Sequence, residues 1–454
     1  MSSSPRVLYL GFFLPPSRAS GVFRTRATAN HLARAGFDVT AFGAPLRFLR
    51  DVVGSVDESM VDTVDSRITL IRPELNYFPW EKDIRQFGLL RRNSPVLALR
   101  AHRWKLRRGF PEAYASWGWQ CVRTAIRLHR KRPFDVVLAT GNPFSAFGAA
   151  WAINLLLGVP YVLDYRDSWT LNQFTDEPAH PADHGSWRWE RRVLSRASMI
   201  IHVNEALRAW HAERYPADAD RMVVVANGWD PDLLDLDAAP PPASGARPPQ
   251  FTFLGTVTHV QPLEELVAAF RAARAHPDLA GAQLSIYGHL GFYRHTADPL
   301  RRRLGLPDGA DESADGVRYR GAVDKSGVAA VYAEADVLVF CTGGARYITS
   351  GKVFEYMAAG KPIVSVHGPG IAAQEVLRGY PLWFTAESLD PDAIAATMVA
   401  AGRAAAELTE SQRAAARRWA DRYRREVLLA PLADRLRELA AAPRRWRRRR
   451  GSPS

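Results

Sequence analysis

The chain alternates short apolar runs with helical patterns twice over, and a proline-rich break separates the two series. The first series opens with strand Val7–Leu10, a helix over Gly21–Ala35 stopped by Gly36, and strand Val39–Phe42. Apolar runs at Ile68–Ile71, Val136–Thr140, Val159–Leu163, Ile200–Val203 and Met222–Val225 continue it. The second series places strands at Gln250–Leu254, Gln283–Tyr287, Val317–Arg320, Val337–Phe340 and Ile363–Val366, with helices at Pro262–Ala275 and Val328–Ala335. Strands that are apolar throughout and alternate with helices predict parallel sheets covered on both faces. The break, Asp235–Pro249, carries prolines at 240–242 and 248–249 and reads as a linker. The expected organisation is a domain over 1–234, a linker over 235–249, a domain over 250–415, a helical stretch ending at 416–441 and a basic tail over 442–454. A length of 454 residues favours more than one core.

Composition excludes several classes. An apolar content of 47% is globular. Met1–Pro5 is polar and the apolar run behind it is short, so no cleavable leader is expected. The uncharged segment Asn142–Leu163 is broken by Gly148, Gly158 and Pro160, which favours a buried helix and strand over a membrane span. Cys121 and Cys341 stand far apart, fitting free thiols in a reducing compartment. No spacing reads as a zinc site. The Asp pairs at 218/220, 230/232, 235/237 and 390/392 read as loop or helix-start acids, so no metal is expected. Gly351-Lys352 is no P-loop: Arg346 stands where its first glycine would, and Val353 replaces Ser or Thr.

The stretch Thr349–Val364 carries the most chemistry. A Ser-Gly turn at Ser350 opens a helix on which Lys352 and Glu355, three apart, share a face. The helix start offers free N–H groups and partial positive charge, which suits phosphate. A carboxylate one turn further in can accept from a sugar diol. Together they would grip a nucleoside diphosphate, although such a pair is also common on exposed helices. Ser20-Gly21, between the first strand and its helix, could let a backbone approach phosphate, with Arg24 and Arg26 adding charge; it is also an ordinary turn. Asp164 and Asp167 flank Arg166 at a strand end: they could split structural and proton-accepting roles, or form a buried Asp–Arg pair. Glu190 reads as a helix-start carboxylate, Asn227-Gly228 as a tight turn or donor contact, and His259 and His289 as loop histidines that could line a site.

These landmarks, in order, resemble the family 4 glycosyltransferases, closest to the branch that builds bacterial cell-surface polysaccharides. The resemblance rests on Lys352–Val364, Asp164–Trp169, Asn227–Asp230, Phe253–Thr256 and Tyr332–Val337. It implies a GT-B fold: two Rossmann-like parallel-sheet domains facing a cleft, with a C-terminal helix crossing back to the first. It implies a hexosyltransferase-type enzyme moving a sugar from a nucleoside-diphosphate sugar to an acceptor hydroxyl, with retention and no metal. Implied donor contacts are Gly21, Asn227, Gly255, Thr256, Ser350, Lys352 and Glu355; implied catalytic groups are Asp167, Arg166 and Lys352. Two departures stand out. Thr256–Glu264 lacks the Arg and Lys that many members place after Gly255, and Tyr347 stands where a glutamate would precede Glu355 by eight. They leave open an epimerase of the same fold, or a silent relative acting as a binding subunit.

The net charge of +13 is concentrated. Residues 85–132 hold thirteen Lys and Arg against one acid, Glu112, and Arg444–Arg450 hold six arginines around Trp446. The first segment, within an insertion over 72–132, interleaves Arg with Leu89, Leu90, Leu97, Leu99, Trp104, Leu106, Phe110, Trp117 and Trp119. Such a pattern fits an anionic membrane surface, nucleic acid, or a solvated helix pair. The resemblance favours a membrane-linked acceptor, hence a cytoplasmic protein peripheral at the inner face.

Overall fold

The computed structural model describes residues 4–54, 56–76, 78–236, 247–291, 296–344 and 346–442. Linker positions 237–246 and the arginine run 444–450 lie outside these. Two compact units emerge: Met1–Ala226 with Leu428–Ser454, and Asn227–Val427.

The first unit is built on seven parallel strands. They are β1 (Arg6–Leu10), β2 (Asp38–Phe42), β3 (Thr69–Ile71), β4 (Val136–Gly141), β5 (Tyr161–Tyr165), β6 (Met199–His202) and β7 (Met222–Val224). Their order is β3-β2-β1-β4-β5-β6-β7. The second unit has β8 (Gln250–Leu254), β9 (Gln283–Tyr287), β10 (Val317–Gly321), β11 (Val337–Cys341), β12 (Ile363–Val366) and β13 (Trp383–Thr385). Its order is β10-β9-β8-β11-β12-β13, again parallel. Both orders reverse direction once, between β1 and β4 and between β8 and β11. Ligands of such sheets sit beyond the carboxyl ends of the strands at that reversal. The α/β reading holds, and β13 is a strand the sequence pattern missed.

The last helix, Arg425–Ala441, buries Leu429, Leu432, Ala433 and Leu436 with Val7, Tyr9, Val39 and Leu138. Its Arg437 donates to Ala35 O at 2.6 Å. The C-terminal helix therefore returns to the first unit, as expected. The stretch 411–441 is two helices, Glu410–Asp421 and Arg425–Ala441, the first closed by a capping box from Thr409 and Gln412.

Burial corrects three readings. Arg24 and Arg26 add no free charge: Arg26 donates to Thr63 Oγ1 at 2.6 Å, and Arg24 forks onto Asp164 at 2.8–3.2 Å. Asp164 is thus half of a buried pair, but with Arg24, not its neighbour Arg166. Arg24 also donates to Val225 O and Ala226 O at 3.0 Å. Glu190 does not start a helix; it lies inside Gly185–Leu194, buried, accepting from Thr170 and from Tyr215 at 2.7 Å.

The basic segment divides into an anchor and a face. Helix Ala115–Lys131 turns Trp117 wholly inward, where its indole donates to Gly43 O at 3.2 Å. Phe12 meets Tyr114 and Trp117 edge-on at 4.9 and 5.0 Å, and Phe110 stacks on Trp169 at 5.3 Å. Leu89, Val96, Leu97, Trp104 and Trp119 instead stay exposed, each above half. Trp117 therefore leaves the list of surface aromatics. The segment's one acid, Glu112, accepts from Phe144 N at 2.9 Å and Ser145 N at 2.5 Å, filling the start of helix Ser145–Leu157. Both cysteines are free and buried. No helix among the described residues is long and apolar enough to cross a membrane.

Burial pushes the Glu112 carboxyl up to about 7 despite its two N–H donors. Such a group binds its proton more tightly folded than unfolded. It favours the fold below its ordinary 4.5 and loses that advantage as pH rises through about 7. Glu112→Gln should gain roughly 1–3 kcal/mol relative to wild type across that window, read from urea midpoints against pH.

Candidate active site

The candidate site of the second unit lies at the carboxyl ends of β8 and β11. Helix Gly351–Ala358 starts there because Ser350 is extended and its hydroxyl accepts from Lys352 N at 3.3 Å. Val353, Phe354, Tyr356 and Met357 are buried, so Lys352 and Glu355 share the remaining side. Tyr356 pins the helix to the end of β8: its hydroxyl accepts from Leu254 N at 2.9 Å and donates to Leu254 O at 3.2 Å. Asn227 ties the turn before the helix, donating to Thr349 O at 2.9 Å.

Glu355 is the hub. Its Oε1 accepts from Lys325 at 2.6 Å; its Oε2 accepts from Tyr332 at 2.8 Å and Lys352 at 3.2 Å. Burial alone would raise its carboxyl, but Lys325 and then Lys352 outweigh it and hold the group far below the usual carboxylate range. Burial lowers the Lys352 ammonium, with Glu355 opposing. The result is an ionised carboxylate between two amines.

Lys325 and Tyr332 escaped the sequence reading. Tyr332 sits in a recognised landmark, yet Lys325 is thirty residues from Glu355, and no local spacing connects them. Lys361 is not part of this group. Its buried ammonium donates to Ala333 O at 2.6 Å and to Ala335 O, closing helix Val328–Glu334, and burial lowers it to about 8.

Gly255 N donates to Tyr287 O at 2.9 Å, so that N–H is engaged with the neighbouring strand. Gly288, at φ +129°, is required here, since a Cβ would stand 1.9 Å from Gly255 O. Gln261 bridges the β8 and β11 loops, accepting from Thr258 N at 2.7 Å and donating to Cys341 O at 3.0 Å. Tyr347, in place of a glutamate, is buried. His259 and His289 are exposed.

In the first unit the structure brings Gly21, Arg166 and Asp167 together. Arg166 pairs with Asp167 at 2.5 Å and reaches Ser20 Oγ at 3.3 Å. A Cβ at Gly21 would stand 3.0 Å from the Arg166 guanidinium carbon, so the glycine admits that guanidinium. The Asp pairs behave as local acids: Asp218 holds Arg221, and Asp390 caps helix Pro391–Ala406. Among the described residues, no group of three His, Cys, Asp or Glu side chains could hold a metal ion.

A carboxyl held this low contributes stability above its ordinary value near 4.5 and loses it as pH falls below that. Glu355→Gln should cost roughly 1–3 kcal/mol at neutral pH, because two half-buried amines lose their counter-charge. The gap should narrow below about pH 4.5 in denaturation titrations.

Residues 22–228 match the model of the glycosyl transferase 4-like domain, and residues 248–402 that of the glycosyl transferases group 1. No curated protein matches the chain in sequence. Solved structures are similar over nearly the whole chain. Sucrose-phosphate synthase from Thermosynechococcus elongatus shares 16% identity at a TM-score of 0.65, covering 97% of this chain and 100% of that one. Anabaena HepE in complex with UDP and glucose shares 14% at 0.60, covering 95% and 99%. WaaG, a glycosyltransferase involved in lipopolysaccharide biosynthesis, shares 12% at 0.58, covering 95% and 99%. At such identities the likeness is one of fold. The second sheet, and all of the first but β1, fall within these matches, and the chain is a GT-B glycosyltransferase related to the 4-like and group 1 families.

Proposed function

We propose that this glycosyltransferase moves a sugar, with retention, from a nucleoside-diphosphate sugar to a hydroxyl of a lipid-linked acceptor in cell-surface polysaccharide or glycolipid synthesis. The observation that carries the reading is the ionised Glu355 held by Lys325, Lys352 and Tyr332 at the strand ends of the second sheet. Glu355 Oε1 accepts one bond and keeps a lone pair for a ribose hydroxyl. The Lys352 ammonium and the start of helix Gly351–Ala358 suit the diphosphate. Lys352, at 3.2 Å the longest of the three bonds, is the group assigned to turn to phosphate. Ser350 orders that helix start, Thr256 N–H is a further diphosphate donor, and Asn227 and Gly255 act as positioning residues.

The chemistry assigned to these groups is departure of the diphosphate on the face that the acceptor hydroxyl attacks. Fixed cations would offset the charge that grows on the leaving oxygen. Asp167, steadied by Arg166 beside Gly21, is assigned to orient or deprotonate the hydroxyl. The complex of HepE with UDP and glucose supports the donor class, and the lipopolysaccharide role of WaaG supports the acceptor class. The exposed Leu89, Val96, Leu97, Trp104 and Trp119 on a strongly basic segment support peripheral contact with an anionic leaflet on the cytoplasmic side.

Thermal shift against UDP, GDP, ADP, dTDP and CDP should give a stabilising nucleotide, about 2.7 kcal/mol at a hundredfold excess over Kd. Glu355→Ala should abolish the shift; a full shift in that variant sinks the donor assignment. Vesicles with phosphatidylglycerol should retain the protein, and Leu97→Ser/Trp104→Ser should weaken retention about tenfold or more. Equal retention on neutral vesicles removes the membrane reading.

A further inference from the structure

Both ends of the loop that carries Asp167 are buried around one carboxylate, Glu190. The loop leaves β5 at Tyr165 and ends at Thr170, where a short hairpin begins, Leu171–Asn172 against Glu177–Pro178. Arg166 and Asp167 form its part-exposed apex, the Asp167 side chain 33% exposed. Tyr165 and Thr170 are wholly buried, as are Glu190 and His211. The Thr170 hydroxyl donates to Glu190 Oε2. Tyr215, just past helix Glu205–Arg214, donates to the same oxygen at 2.7 Å. The Tyr165 ring packs on that of His211 at 4.8 Å, and burial followed by the charge of Glu190 pushes its phenol well up. The Thr170 carbonyl closes the hairpin, accepting from Ala179 N at 2.8 Å.

The other oxygen of this carboxylate faces a ring nitrogen. Among the described residues Glu190 Oε1 and His211 Nε2 both lack a hydrogen-bond partner, and they stand 3.5 Å apart. His211 Nδ1 lies 3.0 Å from Leu207 O. A carbonyl oxygen only accepts, so Nδ1 carries a proton. A neutral ring would then turn a bare Nε2 toward Oε1, setting two lone pairs against each other in a site closed to solvent. One further proton removes the conflict. Two O–H donors on Oε2 stabilise the ionised carboxylate, so that proton belongs on His211. We infer that Glu190 and His211 form a buried ion pair that, through Thr170, positions the loop bearing Arg166 and Asp167. Glu190 is thus a positioning residue for the acceptor side of the reaction. A buried ion pair is weak as a source of stability and better attested as a device that fixes one geometry. His202, whose ring nitrogens are both unpartnered, is kept neutral by burial and then by His211 and Arg208, so it brings no competing charge. That Asp167 serves an acceptor rests on the transferase reading; that the ion pair holds its loop does not.

Nitrogen NMR of the full chain labelled in histidine, with His211 assigned from His211→Gln, reads the proton directly. At neutral pH both ring nitrogens of His211 should be protonated, and in Glu190→Gln one should be bare. A bare Nε2 in wild type overturns the proposal. Hydrogen exchange then reads the loop at the amides of Arg166 and Leu171, which flank Asp167 and donate to Asp164 O and Ser168 Oγ. Glu190→Ala and Thr170→Val should each speed exchange there about tenfold or more, the loss of one bond to a charged group. Glu190→Gln and Thr170→Ser, which keep that bond, should restore slow exchange. Thr170→Val leaves the ion pair in place, so it carries the test if Glu190→Ala does not fold. Equal exchange in the Ala and Gln variants overturns the proposal, as does a rise spread evenly over the first sheet, which reports a weaker core. Thr170→Val should keep the wild-type thermal shift with nucleotide. If wild type itself shows no such shift, the donor assignment fails and the loop result stands.

Discussion

A charge removed from water must find its partner, and this constraint organises both units. Each sheet ends in a buried carboxylate at the carboxyl side of its strands. The two are satisfied in opposite ways. Asp164 takes a forked guanidinium from Arg24, whose remaining donors close on the carbonyls of Val225 and Ala226. That pair is complete: the charges cancel, the donors are all engaged, and the result fastens helix Val22–Arg34 to the sheet. Glu355 takes two separate amines and a phenol. Both amines sit on flexible stems that can turn. The same physics produces a fastening in one unit and a more adaptable cluster in the other.

The helix starts tell a parallel story. Beyond β4, the first turn of helix Ser145–Leu157 is filled by the chain's own Glu112. Beyond β11, the first turn of helix Gly351–Ala358 receives the neutral hydroxyl of Ser350. A helix start draws a hydrogen-bond acceptor in either case. In the first unit that acceptor is internal, carried in by the basic segment and locked by Phe110, Tyr114 and Trp117. This gives the segment's single acid its purpose.

The sequence was most legible where a local rule governs. Strand positions, the α/β class, the cap at Ser350 and the Lys352–Glu355 pair all follow from period, turn chemistry or three-residue spacing. It was least legible where partners lie far apart along the chain. Arg166 looked like the mate of Asp164 because it is two residues away, yet Arg24 holds that carboxylate across the fold. Lys325 and Tyr332 complete the Glu355 site from a separate loop and helix. Trp117 and Trp119 carry the same composition signal, and only helix packing sends one into the core and the other to the surface.

By itself the sequence determined two parallel-sheet units, a donor-type helix after β11 and a strongly basic insertion, because hydrophobic period and turn residues act over a few positions. Tertiary structure alone decided which carboxylate is held by a single guanidinium and which by two amines and a phenol. The reason is physical: a side chain's ionisation and freedom depend on what surrounds it after burial, and those neighbours come from strands and helices that the chain brings together only on folding.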